Sequence, residues 1–120
     1  KVNITWWFLD HSTNAATQET LTQTDMQEFA DTLIDLVVNH HLTCVQQITI
    51  QNEPSTTWLT KDLPVYREAY QLLDGYLRAA GIRSQIQFVG GDLIFNNQQI
   101  WFQYLAQNMG DLLDGWSVHI

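Results

Sequence analysis

The chain has 120 residues, 45% of them hydrophobic and five of them tryptophan, enough for one domain with a sizeable core. Thirteen acidic residues against five Lys and Arg give a formal net charge of −8 at pH 7. That balance argues against nucleic acid and anionic membrane surfaces, which need clustered basic side chains, and suits a neutral ligand such as a sugar. Cys44 is the sole cysteine, so no internal disulfide forms. It reads as a small core residue at the start of a buried strand. No apolar run reaches the roughly 20 residues that span a membrane.

Val2 to Phe8 is β-branched and aromatic and reads as a first buried strand. Asp10 to Thr24, rich in Thr, Gln and Asn, reads as a surface loop. Thr24 with Gln27 three residues on forms a capping box. It predicts a helix to about His40 with Met26, Phe29, Ala30, Leu33, Ile34 and Val37 on one stripe. His40 and His41 fall in its last turn, on different faces, and do not suit a shared metal.

The second strand is predicted over Val45–Gln51, followed by a loop from Asn52 to Leu63 that carries Trp58. Pro64 suits the first position of a second helix, whose stripe is Tyr66, Ala69, Tyr70, Leu73, Leu77 and Ala80, with Gly81 as its stop. A third strand, Gln85–Val89, runs into Gly90-Gly91-Asp92, where the glycines suit a tight turn. No Lys-Ser/Thr follows them, so they do not form a phosphate loop. Asn96 or Asn97 can cap a third helix from about Gln98 to Asp114, with Trp101, Tyr104, Leu105, Met109 and Leu112 inward. Gly115 ends it, and Trp116 to Ile120 is the fourth strand.

The order is β-α-β-α-β-α-β in a single domain over residues 1–120. The strands read as near-continuous apolar runs, which suits parallel strands covered on both faces and joined by right-handed crossovers. The spacing of roughly 30–45 residues per βα unit fits the roughly 250 residues of an eight-unit barrel. Both ends of the chain read as strands cut mid-domain.

Ile48-Thr49-Ile50-Gln51-Asn52-Glu53-Pro54 organises this pattern. A β-branched strand stops in an amide, a carboxylate and a proline that cannot continue the ladder. Glu53 is thereby placed at the carboxyl end of a strand, where α/β folds keep their chemistry. The tripeptide Asn52-Glu53-Pro54 in this setting resembles the acid/base motif of clan A glycoside hydrolases, retaining (β/α)8-barrel enzymes of the cellulase, mannanase and β-glycosidase type. Trp116-Ser117-Val118-His119-Ile120 looks like their strand six, and Phe8-Leu9-Asp10-His11 and Phe88-Val89-Gly90-Gly91-Asp92 resemble the ends of strands three and five. The resemblance covers the whole chain, as roughly three and a half of eight barrel units.

The resemblance implies an α/β fold that is a partial TIM barrel with parallel strands in sequence order. It implies a hydrolase fragment that cleaves β-glycosidic bonds by double displacement, with no cofactor and no metal. Glu53 would be the acid/base. Asn52 would hydrogen-bond the sugar 2-hydroxyl, Trp58 would stack on a sugar face, and His119, Asp92, His11 and Asp10 would line the cleft. The strand-seven nucleophile of such enzymes would lie beyond Ile120. A retaining pair stands roughly 5–5.5 Å apart, so this chain would hold half of it. The implied partners are an oligo- or polysaccharide and the remainder of the barrel or a second copy of the chain, and the implied setting is extracellular.

Each residue also has a plain reading. Glu53 could be a loop or helix-capping carboxylate, Asn52 a turn residue, His119 a satisfied core histidine, and Trp58 a side chain packed under its own loop. A non-catalytic carbohydrate-binding module and a doubly wound α/β binding domain stand as alternatives. The latter would betray itself by a reversal in strand order.

Overall fold

The computed structural model describes residues 1–6, 15–57, 63–94 and 97–119, with backbone alone for residues 15–22 and Thr57. Strands β1 (Val2–Trp6), β2 (Val45–Ile50), β3 (Gln87–Leu93) and β4 (Gly115–Val118) form one sheet. All neighbouring pairs are parallel and the order is β1-β2-β3-β4. Helices α1 (Ala15–Ile34), α2 (Pro54–Thr57), α3 (Leu63–Ala79) and α4 (Gln98–Asn108) run between them. The expected α/β alternation with parallel strands in sequence order is observed. Among the described residues the strand order contains no reversal of the kind a doubly wound domain needs.

The helical stripes form the core largely as their periodicity predicts. Met26, Phe29, Ala30 and Leu33 of α1, Tyr66, Ala69, Tyr70, Leu73 and Leu77 of α3 and Trp101 and Leu105 of α4 belong to one buried cluster. Ile48, Ile50 and Phe88 close this core from the sheet, and Trp6 stacks on Phe29 with ring centroids 5.0 Å apart. Each fully buried side chain of this size contributes about 1.5–3 kcal/mol from the water it leaves.

The strands are not apolar on both faces, as their sequence suggested. Beside Ile48 and Ile50, the alternate positions of β2 are Gln47 and Thr49. The Asn3 amide donates to Thr49 Oγ1 at 3.3 Å, and the Gln47 amide donates to Gln87 Oε1 at 3.1 Å. The face opposite the core therefore carries amides and hydroxyls that bond across strands, the pattern of a sheet with one apolar side.

Several boundaries move. The segment expected as loop up to Thr24 is helical from Ala15 onward, because Ala15, Ala16, Gln18 and Glu19 are good helix formers whatever their polarity. Thr24 and Gln27 lie inside α1, and Gln27 bonds the Asp31 carboxylate at 2.9 Å instead of capping. A wider π-helical turn, Asp35–Asn39, carries the helix on to His40. Cys44 is exposed, not in the core. Ala80, placed on the α3 stripe, is exposed as well. The third strand starts at Gln87 and runs through Gly90-Gly91-Asp92 to Leu93, so the glycine pair lies inside a strand and not in a turn after it. Asn97 precedes α4 with φ of 53° and makes no side-chain cap bond. The helix ends at Asn108, and Met109 and Leu112 stay buried in the turn that follows.

Candidate functional site

The carboxyl ends of β2, β3 and β4 converge. After β2 the chain turns through Gln51 and Glu53, both left-handed at φ of 63° and 48°. The left-handed region costs a residue with a Cβ roughly 1–2 kcal/mol. The surrounding bonds hold it there. The Gln51 N–H donates to Trp6 C=O at 2.7 Å, and the Thr56 N–H and hydroxyl both donate to Glu53 C=O, at 3.0 and 2.9 Å. Pro54 opens α2, where its missing N–H is harmless.

Asp92 reaches the same place by a different device. On the β3–β4 ladder Gly91 faces Ser117 and Leu93 faces Val118, so Asp92 is one residue too many. The bulge leaves Asp92 at φ of 47° and Gly91 at φ of 114°. A Cβ on Gly91 would stand 2.5 Å from Ser117 C=O, which only glycine avoids. The Ser117 hydroxyl donates to Asp92 Oδ1 at 2.5 Å, and Leu93 then returns to the core.

His119 lies between these two acids. Its backbone N–H donates to Leu93 C=O at 2.7 Å, which extends the ladder past β4. Nδ1 is 2.9 Å from Glu53 Oε1, and Nε2 is 3.7 Å from Asp92 Oδ1. The side chains of His119, Glu53 and Asp92 are 37, 33 and 14% exposed, so the group is reachable from solvent while Asp92 sits behind it. An imidazole flanked by two carboxylates can orient one of them and carry charge between them, which is the equipment of general acid–base chemistry.

Two tyrosines of α3 stand directly beneath. The Tyr70 hydroxyl accepts from Ile50 N–H at 3.0 Å and donates to Val89 C=O at 2.6 Å. The Tyr66 hydroxyl accepts from Gly91 N–H at 3.0 Å and lies 3.3 Å from the Tyr70 hydroxyl. Since the Tyr70 proton goes to Val89, Tyr66 is the donor between them. Burial pushes the Tyr66 phenol up to about 12, and burial likewise raises Tyr70 well above its ordinary value. Both therefore stay protonated and able to donate.

Of the residues singled out in the sequence, Glu53, His119 and Asp92 are brought together. Asn52 is half-buried beside Glu53, and no hydrogen bond joins its side chain to the cluster among the described residues. Trp58, Asp10 and His11 lie outside the described residues. Sequence reasoning gave Ser117 no role of its own, although its period-two spacing from His119 puts both on one face of a strand. It also read Tyr66 and Tyr70 as packing alone, because an apolar stripe carries no sign of what the hydroxyls do.

Among the described residues, no cluster of three or more His, Cys, Asp or Glu could hold a metal ion. A groove of about 510 Å³ lined by Gln98, Gln99, Phe102, Gln103 and Val118 shares no residue with the Glu53 cluster. No helix among the described residues is long and apolar enough to cross a membrane. No protein-family model, curated protein or solved structure matches the chain.

Proposed function

We propose that this chain supplies the acid/base half of the active site of a retaining β-glycoside hydrolase, as an arc of a (β/α)8 barrel. The observation that carries the reading is the contact of His119 with Glu53 at 2.9 Å, with Asp92 on its other side, at the carboxyl ends of consecutive parallel strands. The left-handed backbone at Glu53 and Asp92 supports it further, since strained residues gather at functional sites.

In this reading the Glu53 carboxyl gives its proton to the glycosidic oxygen as a second carboxylate, from a strand beyond β4, attacks the anomeric carbon. Glu53 then takes a proton from the water that releases the sugar. His119 Nδ1–H orients the carboxyl for both steps, and Asn52 meets the 2-hydroxyl of the sugar. The substrate is a neutral oligo- or polysaccharide outside the cell. The exposed Trp116 and Val118 of β4, with Phe102 of α4 beside Trp116, would be covered by the remainder of the barrel.

The test is Glu53→Ala in the enzyme with its complete barrel. Turnover of substrates with poor leaving groups should fall by roughly 10²–10⁴-fold, while activated aryl glycosides lose far less. Added azide should restore turnover and give a β-glycosyl azide. Unchanged hydrolysis of unactivated substrates would end the acid/base assignment.

A further inference from the structure

The β2–β3 ladder is regular only at its start. Gln47 pairs with Gln87 and Ile48 with Phe88, and there the paired register ends. Continued by one more rung, a parallel ladder of this register would send Ile50 N–H to Val89 C=O and Gly91 N–H to Ile50 C=O. Both N–H groups go elsewhere. Ile50 N–H bonds the Tyr70 hydroxyl, which passes its own proton to Val89 C=O. Gly91 N–H bonds the Tyr66 hydroxyl. In place of one N–H···O bond of about 2.9 Å there is a two-bond bridge of 3.0 and 2.6 Å.

Farther along, a third hydroxyl joins the same two chains. Ser55 Oγ accepts from Ile94 N–H and donates to Ile94 C=O, each at 3.1 Å. Ser55 is 1% exposed, and Tyr66 and Tyr70 are fully buried. The strands thus part where their last rung would form, and buried hydroxyls hold the opening. Glu53 stands three residues beyond Ile50, and Asp92 follows Gly91 directly.

We propose that Tyr66 and Tyr70 are positioning residues whose hydroxyls, inserted into the β2–β3 ladder, set the separation of the Glu53 and Asp92 strand ends and so seat His119 between the two carboxylates. Packing alone does not ask for these hydroxyls. Tyr66 meets Tyr70 and Trp101 edge-on at 5.2 Å, and Tyr70 meets Phe88 at 5.7 Å, contacts that phenylalanine would keep. The inference concerns the geometry of the cluster and stands whatever reaction the cluster performs.

The experiment is Tyr70→Phe in the full chain, with Tyr66→Phe as the milder change and Tyr104→Phe, at a half-buried tyrosine of α4, as control. Nitrogen-15 spectra of the His119 ring read the Glu53 contact, and a crystal structure reads the strand spacing. In Tyr70→Phe, Ile50 N–H should bond Val89 C=O directly, and the 2.9 Å His119–Glu53 contact should be lost, with a changed Nδ1 signal. Tyr66→Phe should move the same signal less, and Tyr104→Phe should leave it alone.

An Nδ1 signal and a strand spacing unchanged in both α3 variants, with only a lower melting temperature, would assign the tyrosines to stability and overturn the proposal. The unsubstituted protein supplies a check that needs no variant. Slowly exchanging hydroxyl protons close to the Ile50 and Gly91 amides are expected. A scalar coupling from Ile50 N–H directly to the Val89 carbonyl would overturn it. None of these readouts involves turnover, so failure here and failure of the glycosidase reading are told apart.

Discussion

The two ends of the sheet solve opposite problems. Below β3 and β4, Arg83 is 14% exposed and fully engaged. It donates to Asp74 at 2.6 Å, to Ile86 C=O at 2.7 Å and to Leu112 C=O at 3.2 Å, and its guanidinium lies 3.7 Å from the Phe88 ring centroid. Asp114, within 3.4 Å of Arg83, accepts Phe88 N–H and returns its own N–H to Phe88 C=O, both at 2.8 Å. Every charge here faces an opposite charge or a backbone dipole, and the network pins the starts of two strands together.

At the carboxyl end the accounting differs. Glu53 and Asp92 share one imidazole, and Gln51, Glu53 and Asp92 all sit in the left-handed region. One end accumulates stability and the other holds strain and like charge.

The comparison breaks first at Arg83. Arg83→Ala leaves the mostly buried Asp74 carboxylate, the half-exposed Asp114 carboxylate and two carbonyls without the guanidinium, and should cost about 3 kcal/mol in denaturant unfolding. His119→Ala at the other end should cost well under that. Equal losses would remove the distinction between the ends. Next in size is Gly91→Ala, which adds a Cβ against Ser117 C=O at a φ of 114°. A loss of about 2 kcal/mol is expected, together with a displaced Asp92.

Glu53→Gly should act in the opposite direction. It relieves a left-handed residue and should raise stability by about 1 kcal/mol while removing the proposed chemistry. A destabilised Glu53→Gly would mean that the strained turn contributes to folding and not to function.

The smallest effect is in acid. Burial raises the Asp74 carboxyl, but hydrogen bonds and charge from Arg78 and Arg83 outweigh it and hold the group below its ordinary 3.8. A carboxyl lowered on folding stabilises above its unfolded value, and that contribution fades as pH falls through the folded one. Melting temperature should therefore drop on acidification below about pH 4. Asp74→Asn should flatten that part of the profile.

Periodicity made the helices legible. Met26 through Val37 and Tyr66 through Leu77 are stripes that only one face can bury, and all of them are buried except Ile34, which is half-buried against the core. Glu53 was legible because Pro54 must end the strand before it. The early start of α1 was not, since Thr and Gln lower the apolar signal without opposing a helix. Cys44 misled because a free cysteine is usually buried, whereas this one lies exposed in the turn just ahead of β2.

What the sequence determined by itself is the alternation of strands and helices, the buried stripes and the placing of Glu53 at a strand end. These follow from local rules: side-chain period, backbone donors and proline. What only the tertiary structure decided is which residues meet. Glu53 and His119 are 66 positions apart and touch through the parallel sheet. Asp92 joins them because one extra residue in β3 turns it toward Ser117. The Tyr66 and Tyr70 hydroxyls matter because they fall where a ladder rung would otherwise close. Each depends on register between distant strands, and register is a property of the assembled sheet, not of any segment within it.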